Sequence, residues 1–242
     1  MLAELFLALL AAPTCGHRIV GSHPHDPQAF TQGLVLDGGV LYESTGLYGH
    51  SSLRAVELET GRVLRQRRLP GDRFGEGLAL CGDRLYQLTW RAGQGFIYDK
   101  ATLDRIGTFR YEGEGWGLAC DGRHLILSDG TPVLRFLDPE GFRVVRRLEV
   151  RDGDRPIERL NELEFIRGRL YANIWLDRRI AVIDLDTGQV EAWLDFPELP
   201  HTAEKAMNGI AYDPRTKHLW VTGKLWPEVF EVELDGQGCE GL

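Results

Sequence analysis

The sequence predicts an all-β protein, a five-bladed β-propeller, and two observations lead to that fold class. A five-residue pattern recurs five times along the 242 residues, at intervals of 40 to 46 residues. Each copy is followed by the same succession of short apolar segments separated by hairpin turns. Repeats of this length that contain four short strands are typical of propeller blades. The five copies begin at Gln32, Glu76, Trp116, Glu162 and Asn208.

The four strands of a blade follow from the order of segments within one repeat. In the fourth repeat the pattern itself predicts the innermost strand, and residues 170–175 predict the second strand after a turn. Residues 180–185 form the third segment, which ends in an acidic turn. The fourth segment is the most charged, as in residues 62–69, which suits an outer strand in contact with solvent. We therefore expect four-stranded blades.

The fifth repeat lacks one strand. After residues 229–234 the chain offers only a Gly-rich tail, whereas residues 17–24 precede the first repeat and belong to no blade. Pairing of segment 17–24 with the fifth blade would supply the missing strand and remove an exposed sheet edge. We therefore expect a single domain over residues 17–242, with the ring closed by the N-terminal strand.

Composition and the N-terminal segment limit the partners and the compartment. The net charge is −8 and no dense block of Lys and Arg occurs, so a nucleic acid is not expected as a partner. Residues 1–16 contain an apolar run that is too short to span a bilayer and has the length of a signal h-region, although no Lys or Arg precedes it. We expect a signal-like or disordered leader, no transmembrane segment, and a periplasmic or secreted monomer.

The four cysteines include no closely spaced pair, so a zinc cluster is not expected. Cys81 and Cys120 fall at similar places in two consecutive repeats. The pair is therefore compatible with a disulfide and equally with two buried thiols.

Polar and aromatic residues recur where the innermost strands begin and where the second strands end. In a propeller these positions converge at one mouth of the central channel. Three tryptophans at such positions favour a binding pocket, although a single tryptophan is more often a core residue. Lys224 could equally be a surface residue, Asn161 and Asn208 turn caps, and Glu162 part of an ion pair. No spacing requires a metal site, and Asp129 is expected to be structural.

Several motifs resemble the plant and bacterial type of glutaminyl-peptide cyclotransferase, over residues 30–226. That family is a five-bladed propeller unrelated to the zinc-dependent animal enzymes of the same activity. The motifs are Phe30-Thr31-Gln32-Gly33-Leu34, Ser44-Thr45-Gly46-Leu47-Tyr48-Gly49, Phe74-Gly75-Glu76-Gly77, Gln87-Leu88-Thr89-Trp90, Gly113-Glu114-Gly115-Trp116-Gly117-Leu118, Asn161-Glu162-Leu163-Glu164, Asn173-Ile174-Trp175, Met207-Asn208-Gly209-Ile210-Ala211 and Thr222-Gly223-Lys224-Leu225-Trp226-Pro227.

The resemblance implies cyclisation of the N-terminal glutamine of peptides or proteins to pyroglutamate with release of ammonia, without a cofactor or metal. Glu76 stands at the catalytic position, where one carboxylate carries a proton from the attacking amine to the leaving nitrogen. Its flanking glycines are expected to leave space for the substrate. The other implied site residues comprise Lys224, Gln32 and Asn161 around the γ-amide, Trp90, Trp116 and Trp175 as walls, and Phe30 and Phe74 as support for those walls.

Two other functions stay open at this point. One is a calcium-dependent, lactonase-like propeller hydrolase, but Lys224 at the mouth would repel the cation. The other is a non-catalytic propeller that binds peptides through its aromatic residues and has no need of Glu76. Ammonia release from a glutamine-initiated peptide, measured with and without a chelator, separates the three functions.

Overall fold

The computed structural model describes residues 11–236, and the regular structure in this range consists of β-strands. The innermost strands of consecutive repeats pack against one another in chain order, and the fifth packs against the first. The five sheets therefore form a closed ring, which confirms the five-bladed propeller. No helix within the described range is long and apolar enough to cross a membrane.

Each blade is an antiparallel sheet whose strands run outward from the channel in chain order. The strands, from the innermost outward, are Thr31–Asp37, Val40–Thr45, Ser52–Glu57 and Arg62–Arg68 in blade 1; Gly75–Cys81, Arg84–Thr89, Gln94–Asp99 and Arg105–Arg110 in blade 2; Leu118–Cys120, Leu125–Leu127, Val133–Leu137 and Val144–Glu149 in blade 3; Leu160–Ile166, Arg169–Ile174, Arg179–Asp184 and Val190–Asp195 in blade 4; and Met207–Asp213, His218–Gly223 and Glu228–Leu234 in blade 5.

The N-terminal strand completes blade 5. His17–Pro24 pairs antiparallel with Glu228–Leu234, from His17 opposite Leu234 to Pro24 opposite Glu228. The first and last strands of the described chain therefore share one sheet, which confirms the predicted closure and leaves neither strand unpaired.

Two short strand pairs lie outside the regular blades. Thr14–Cys15 runs parallel to Val190–Asp195 at the outer edge of blade 4. Arg151–Asp152 pairs with Arg155–Pro156 between blades 3 and 4. The last residues of the expected leader thus have β-structure, whereas residues 1–10 lie outside the described residues and the leader remains a prediction.

The hydrophobic core lies between the faces of neighbouring blades. Leu53 of blade 1, for example, packs in one cluster with Leu78 and Phe96 of blade 2. The outermost strand Arg62–Arg68 is exposed along its whole length, in agreement with its charged sequence. A disulfide joins Cys81 and Cys120, with their Cα atoms 5.7 Å apart, and so links blades 2 and 3. The disulfide alternative is therefore the one that the structure contains.

Glycines of the repeated pattern lie where neighbouring innermost strands touch. A Cβ atom on Gly33 would lie 2.4 Å from the backbone nitrogen of Leu78, and one on Gly77 would lie 2.5 Å from that of Leu118. A Cβ atom on Gly75 would lie 2.6 Å from the carbonyl oxygen of Thr45. The expectation that the glycines beside Glu76 leave space for a substrate is therefore wrong. They allow the backbones of adjacent blades to approach around a narrow channel.

Candidate active site

One mouth of the channel holds a cavity of about 210 Å³ that is lined by all nine residues singled out in the sequence. Its volume lies below the roughly 300–1,000 Å³ typical of sites for drug-sized ligands, so it suits one amino-acid residue better than a longer segment. The lining residues are Phe30, Gln32, Phe74, Glu76, Trp90, Trp116, Asn161, Trp175 and Lys224.

Equivalent backbone positions in different blades place several of these side chains. The residue after the second strand donates its N–H to a carbonyl just ahead of the innermost strand: Trp90 to Phe74 at 3.0 Å in blade 2, and Trp175 to Arg159 at 2.9 Å in blade 4. Lys224 makes the same bond to Ala206 at 2.9 Å in blade 5. The repeat therefore directs chemically different side chains into one cavity.

Aromatic rings form most of the cavity wall. Phe74 makes edge contacts with Phe30 and Trp90, at centroid distances of 6.1 and 5.7 Å. Trp116 makes a similar contact with Trp175 at 5.5 Å. Trp175 is 37% exposed and lies at the rim. Such a lining excludes water and strengthens electrostatic interactions within the cavity.

Glu76 is buried and has no ion-pair partner among the residues that the structure describes. Its Oε1 accepts a hydrogen bond from Gln32 Nε2 at 2.8 Å, and no group within residues 11–236 donates to its Oε2. Burial raises the pKa of Glu76 well above its usual range, and the charge of Glu114 adds to this effect. Lys224 and the Gln32 hydrogen bond act in the opposite direction without offsetting the burial. Glu76 can therefore exchange protons far closer to neutrality than an exposed carboxyl can.

Two hydrogen-bond donors face the same cavity without a protein acceptor in the described part of the chain. The Nζ of Lys224 makes no ion pair there and lies 4.8 Å from the centroid of the Phe30 ring. Burial lowers the pKa of Lys224, and Glu76 partly opposes that shift. The side-chain amide of Asn161 likewise has no hydrogen-bond partner within residues 11–236, since Ser128 Oγ donates to the backbone oxygen of Asn161 and not to its side chain. Both donors are available to a ligand.

Asn208 sets the orientation of the Gln32 amide. Its Nδ2 donates to Gln32 Oε1 at 2.9 Å and to the Thr31 carbonyl at 3.0 Å. The oxygen of Gln32 is therefore occupied by Asn208, and the NH₂ group is turned toward Glu76. Asn208 is fully buried and holds Gln32 in place, rather than capping a turn.

Glu114 supports the site, although the sequence analysis assigned no role to it. Its Oε2 accepts the indole N–H groups of Trp90 at 2.8 Å and Trp116 at 2.9 Å, and its Oε1 accepts from Arg91 Nε at 2.9 Å. Burial tends to raise the pKa of Glu114, but the hydrogen bonds from Trp116, Arg91 and Trp90 outweigh it and leave the pKa below its usual range. One signal was present in the sequence: Gly113-Glu114-Gly115 repeats the form of Gly75-Glu76-Gly77.

Other candidates lie away from the cavity. Glu162 is fully buried but accepts backbone N–H groups from Leu34 and Ile210, so an ion pair does not explain it. Asp129 pairs with Arg135 at 3.2 Å, in the structural role expected for it. Three tryptophans are core residues: Trp193, Trp220 and Trp226. Within residues 11–236 no group of three or more His, Cys, Asp and Glu side chains is arranged to hold a metal ion.

Comparisons with known proteins agree with this geometry. A model of the glutamine cyclotransferase family matches residues 3–234. A glutaminyl-peptide cyclotransferase of Arabidopsis thaliana is 42% identical over 225 residues, which cover 89% of this chain and 70% of the relative. The crystal structure of Myxococcus xanthus glutaminyl cyclase matches with a TM-score of 0.86 and 41% identity, over 93% of this chain and 98% of that one.

A hydrazine synthase of Kuenenia stuttgartiensis also matches, with a TM-score of 0.51 and 19% identity over 85% of this chain and 59% of that one. That match concerns the fold alone. The family model and the Arabidopsis relative, in contrast, match nearly the whole of the described chain. The chain therefore belongs to the glutamine cyclotransferase family.

Proposed function

We propose that the chain is a glutaminyl-peptide cyclotransferase whose reaction takes place in the cavity around Glu76. The observation that carries this proposal is a buried carboxylate with one free oxygen, which shares a cavity the size of one residue with two free donors, Lys224 and Asn161. The substrate is the N-terminal glutamine of a peptide or protein. It enters the cavity with its side chain folded toward its own α-amine.

Glu76 carries the proton in this reaction. The α-nitrogen attacks the γ-carboxamide carbon, a C–N bond forms, and Glu76 takes a proton from the attacking nitrogen. The same carboxyl then delivers this proton to the amide nitrogen as the old C–N bond breaks, so that ammonia leaves and pyroglutamate remains. A carboxyl whose pKa is raised by burial suits both halves of this transfer.

The amine must be neutral before it can attack. A free α-ammonium has a pKa of about 7.7–8.0, so part of the substrate population is already neutral near physiological pH. The ammonium group of Lys224 disfavours a second cation in the cavity. Binding therefore selects the reactive form of the substrate.

Lys224 and Asn161 stabilise the charge that develops on the carbonyl oxygen of the γ-amide. Preorganised donors in a cavity that excludes water are usually the largest electrostatic contribution to such a step. Gln32 holds Oε1 of Glu76 and leaves Oε2 for the substrate. The indoles of Trp90, Trp116 and Trp175 keep the glutamine side chain folded, with Phe30 and Phe74 behind the wall, and so contribute through orientation.

The direct test is incubation with a peptide that begins with glutamine, in excess chelator, with ammonia followed by a coupled assay and the product by mass. We expect ammonia and a peptide lighter by one NH₃, and no product from a peptide whose N-terminus is acetylated. Binding without ammonia would support the peptide-binding alternative. Turnover that is lost only with chelator would support the calcium-dependent alternative.

We further propose that the protein acts as a monomer in the periplasm or outside the cell. The disulfide between Cys81 and Cys120 supports an oxidising compartment, because such bonds are rare where thiols are kept reduced. Cell fractionation and light scattering after size exclusion test the two parts. A cytoplasmic protein with reduced thiols, or a stable dimer, would contradict them.

A further inference from the structure

Two walls of the cavity are held by one carboxylate oxygen that does not itself line the cavity. Trp90 follows the second strand of blade 2 and Trp116 precedes the innermost strand of blade 3. Both indole N–H groups converge on Oε2 of Glu114, at 2.8 and 2.9 Å. A single acceptor thus links side chains from two blades, and its position sets the distance between two walls of the pocket.

The carboxylate of Glu114 is itself held from the other side. Arg91 donates to Oε1 at 2.9 Å and places its guanidinium 3.7 Å from the centroid of the Trp90 ring. Hydrogen bonds also hold the backbone around Glu114 in place. Arg135 Nη2 donates to the Glu114 carbonyl at 2.9 Å, and the Gly115 N–H donates to the Trp90 carbonyl at 3.0 Å. Since both the side chain and the backbone are anchored, Glu114 offers the two indoles a fixed point.

We propose that Glu114 is a positioning residue that sets the orientation of Trp90 and Trp116, and thereby the shape in which the pocket receives a glutamine side chain. The inference rests on the proposed function for the identity of the substrate. Glu114 does not touch the reacting atoms in this scheme. Its hydrogen bonds to the two indoles carry the proposed role, while its charge also adds to the raised pKa of Glu76.

Loss of the acceptor would release both rings together. Each partly buried N–H would lack its partner, a state that costs free energy and that a change of rotamer relieves. Besides Glu114, the groups that contact Trp90 include Phe74 and Arg91, and those that contact Trp116 include Trp175 and Gly130. A hydrogen bond to the indole nitrogen defines one orientation of the ring more strictly than edge contacts between rings do. The cavity would remain, but with walls that no longer hold one substrate conformer.

Two substitutions of Glu114 distinguish the loss of its hydrogen-bond acceptor from the loss of its negative charge. Glu114→Ala removes the acceptor, whereas Glu114→Gln keeps a carbonyl oxygen whose two lone pairs can accept both indole N–H groups. The glutamine variant loses the charge and the ion pair with Arg91. If positioning is the role, Glu114→Gln keeps most of the activity and Glu114→Ala does not.

Asp152 provides a matched control outside the cavity. Its Oδ2 accepts the indole N–H of Trp193 at 3.1 Å, so this pair has the same chemistry in the outer part of blade 4. Asp152→Ala removes a carboxylate acceptor from a tryptophan without touching the proposed site. Any loss of activity that arises from structural damage alone should appear in this variant as well.

The experiment measures kcat/KM for a glutamine-initiated peptide and the indole N–H signals in ¹H–¹⁵N spectra of the folded protein. We expect Glu114→Ala to lower kcat/KM by about 10²-fold, the scale of a misplaced substrate, and to shift the signals of Trp90 and Trp116 together. Glu114→Gln should stay within about 5-fold of the parent protein, since the acceptor remains. Asp152→Ala should shift the signal of Trp193 and leave kcat/KM unchanged.

Three outcomes would overturn the inference: unshifted Trp90 and Trp116 signals in Glu114→Ala, parental kcat/KM in that variant, or equal losses in the alanine and glutamine variants. If the parent protein itself releases no ammonia, the proposed function fails. The spectra still decide separately whether Glu114 orients the two indoles.

Discussion

Glu43 and Glu76 are two carboxylates buried on adjoining blades, and their surroundings differ in one respect. Glu43, in the second strand of blade 1, accepts hydrogen bonds from His25 at 3.0 Å, from Thr31 at 2.7 Å and from Arg54. Burial acts to raise its pKa, but the charges of His25 and Arg54 outweigh this and lower the pKa to about 2. The side chain of Glu76 accepts a hydrogen bond only from the neutral amide of Gln32 among the described residues, and burial raises its pKa.

Burial acts to raise the pKa of both carboxyls, and the cations in direct contact with Glu43 are what keep its pKa low. Both ring nitrogens of His25 face acceptors, Glu43 and the Trp226 carbonyl, so the ring is held as a cation. Both carboxylate oxygens of Glu43 therefore accept hydrogen bonds from the protein, and neither is available to a ligand. Glu76 keeps one oxygen free toward a cavity.

The largest expected effect comes from removing the cation beside Glu43. Arg54→Met leaves a buried carboxylate with one cationic partner fewer and should lower the free energy of unfolding by about 3 kcal/mol. Urea unfolding measures the change. Arg62→Met, in an exposed pair with Glu57, is the control and should cause no measurable loss. A stability equal to that of the parent protein would show that Glu43 does not depend on its cations.

The second effect concerns catalysis and leaves stability nearly unchanged. Glu76→Gln keeps the shape and the Gln32 contact but removes the proton carrier, so kcat for ammonia release should fall by about 10²-fold or more. Substrate affinity and Tm should stay close to those of the parent protein. Glu112→Gln, an exposed neighbour of the site, is the control. Turnover close to the parental value would remove Glu76 from its role.

A third effect, no larger than the second, tests Lys224, the cation that shares the cavity with Glu76 without forming an ion pair with it in the described part of the chain. Lys224→Met removes one of the two proposed donors to the developing oxyanion but leaves Asn161, so kcat should fall by about 10²-fold. Steady-state kinetics with the same peptide measure this, with Lys100→Met on the outside of blade 2 as the control. Parental kcat would mean that Lys224 serves the fold instead.

A fourth effect, on the pH dependence of stability, concerns Glu164, a carboxyl whose pKa is raised but which lies away from the cavity. Burial raises the pKa of Glu164 to about 8, so the folded protein binds a proton there that the unfolded chain releases above about 4.5. Its contribution to stability is present below pH 4.5 and is lost as the pH rises toward 8. Between pH 4.5 and 8, the Tm of the Glu164→Gln variant should therefore fall less than the Tm of the parent protein. Identical pH profiles would place the pKa of Glu164 near its ordinary value.

The fold could be predicted from the sequence because each blade repeats the same local requirements. Gly33, Gly77 and Gly117 recur since neighbouring backbones touch at those positions. Strand order and ring closure then follow from hairpin turns and from the one strand missing in blade 5. The repeat also brings equivalent positions to one mouth, and the family resemblance selected the nine cavity residues from that larger set.

Side-chain contacts that do not follow the repeat could not be predicted from the sequence. Glu114 accepts a hydrogen bond from Trp90, 24 residues away, and the repeat assigns no partner to it. Glu162 accepts backbone hydrogen bonds from Leu34 in blade 1 and from Ile210 in blade 5, which are 128 and 48 residues away. Such pairings depend on side-chain directions in three dimensions, and burial of a carboxyl cannot be read from its neighbours in sequence.

Titration of the two carboxyls shows whether burial without a cation in direct contact raises the pKa of Glu76. Carboxyl carbons of ¹³C-labelled glutamate are titrated by NMR in one sample, with Glu76 and Glu43 assigned from the spectra of Glu76→Gln and Glu43→Gln. We expect the pKa of Glu76 to lie well above 4.5 and that of Glu43 to be about 2. A pKa of Glu76 at or below 4.5, or equal pKa values for the two carboxyls, would contradict the account.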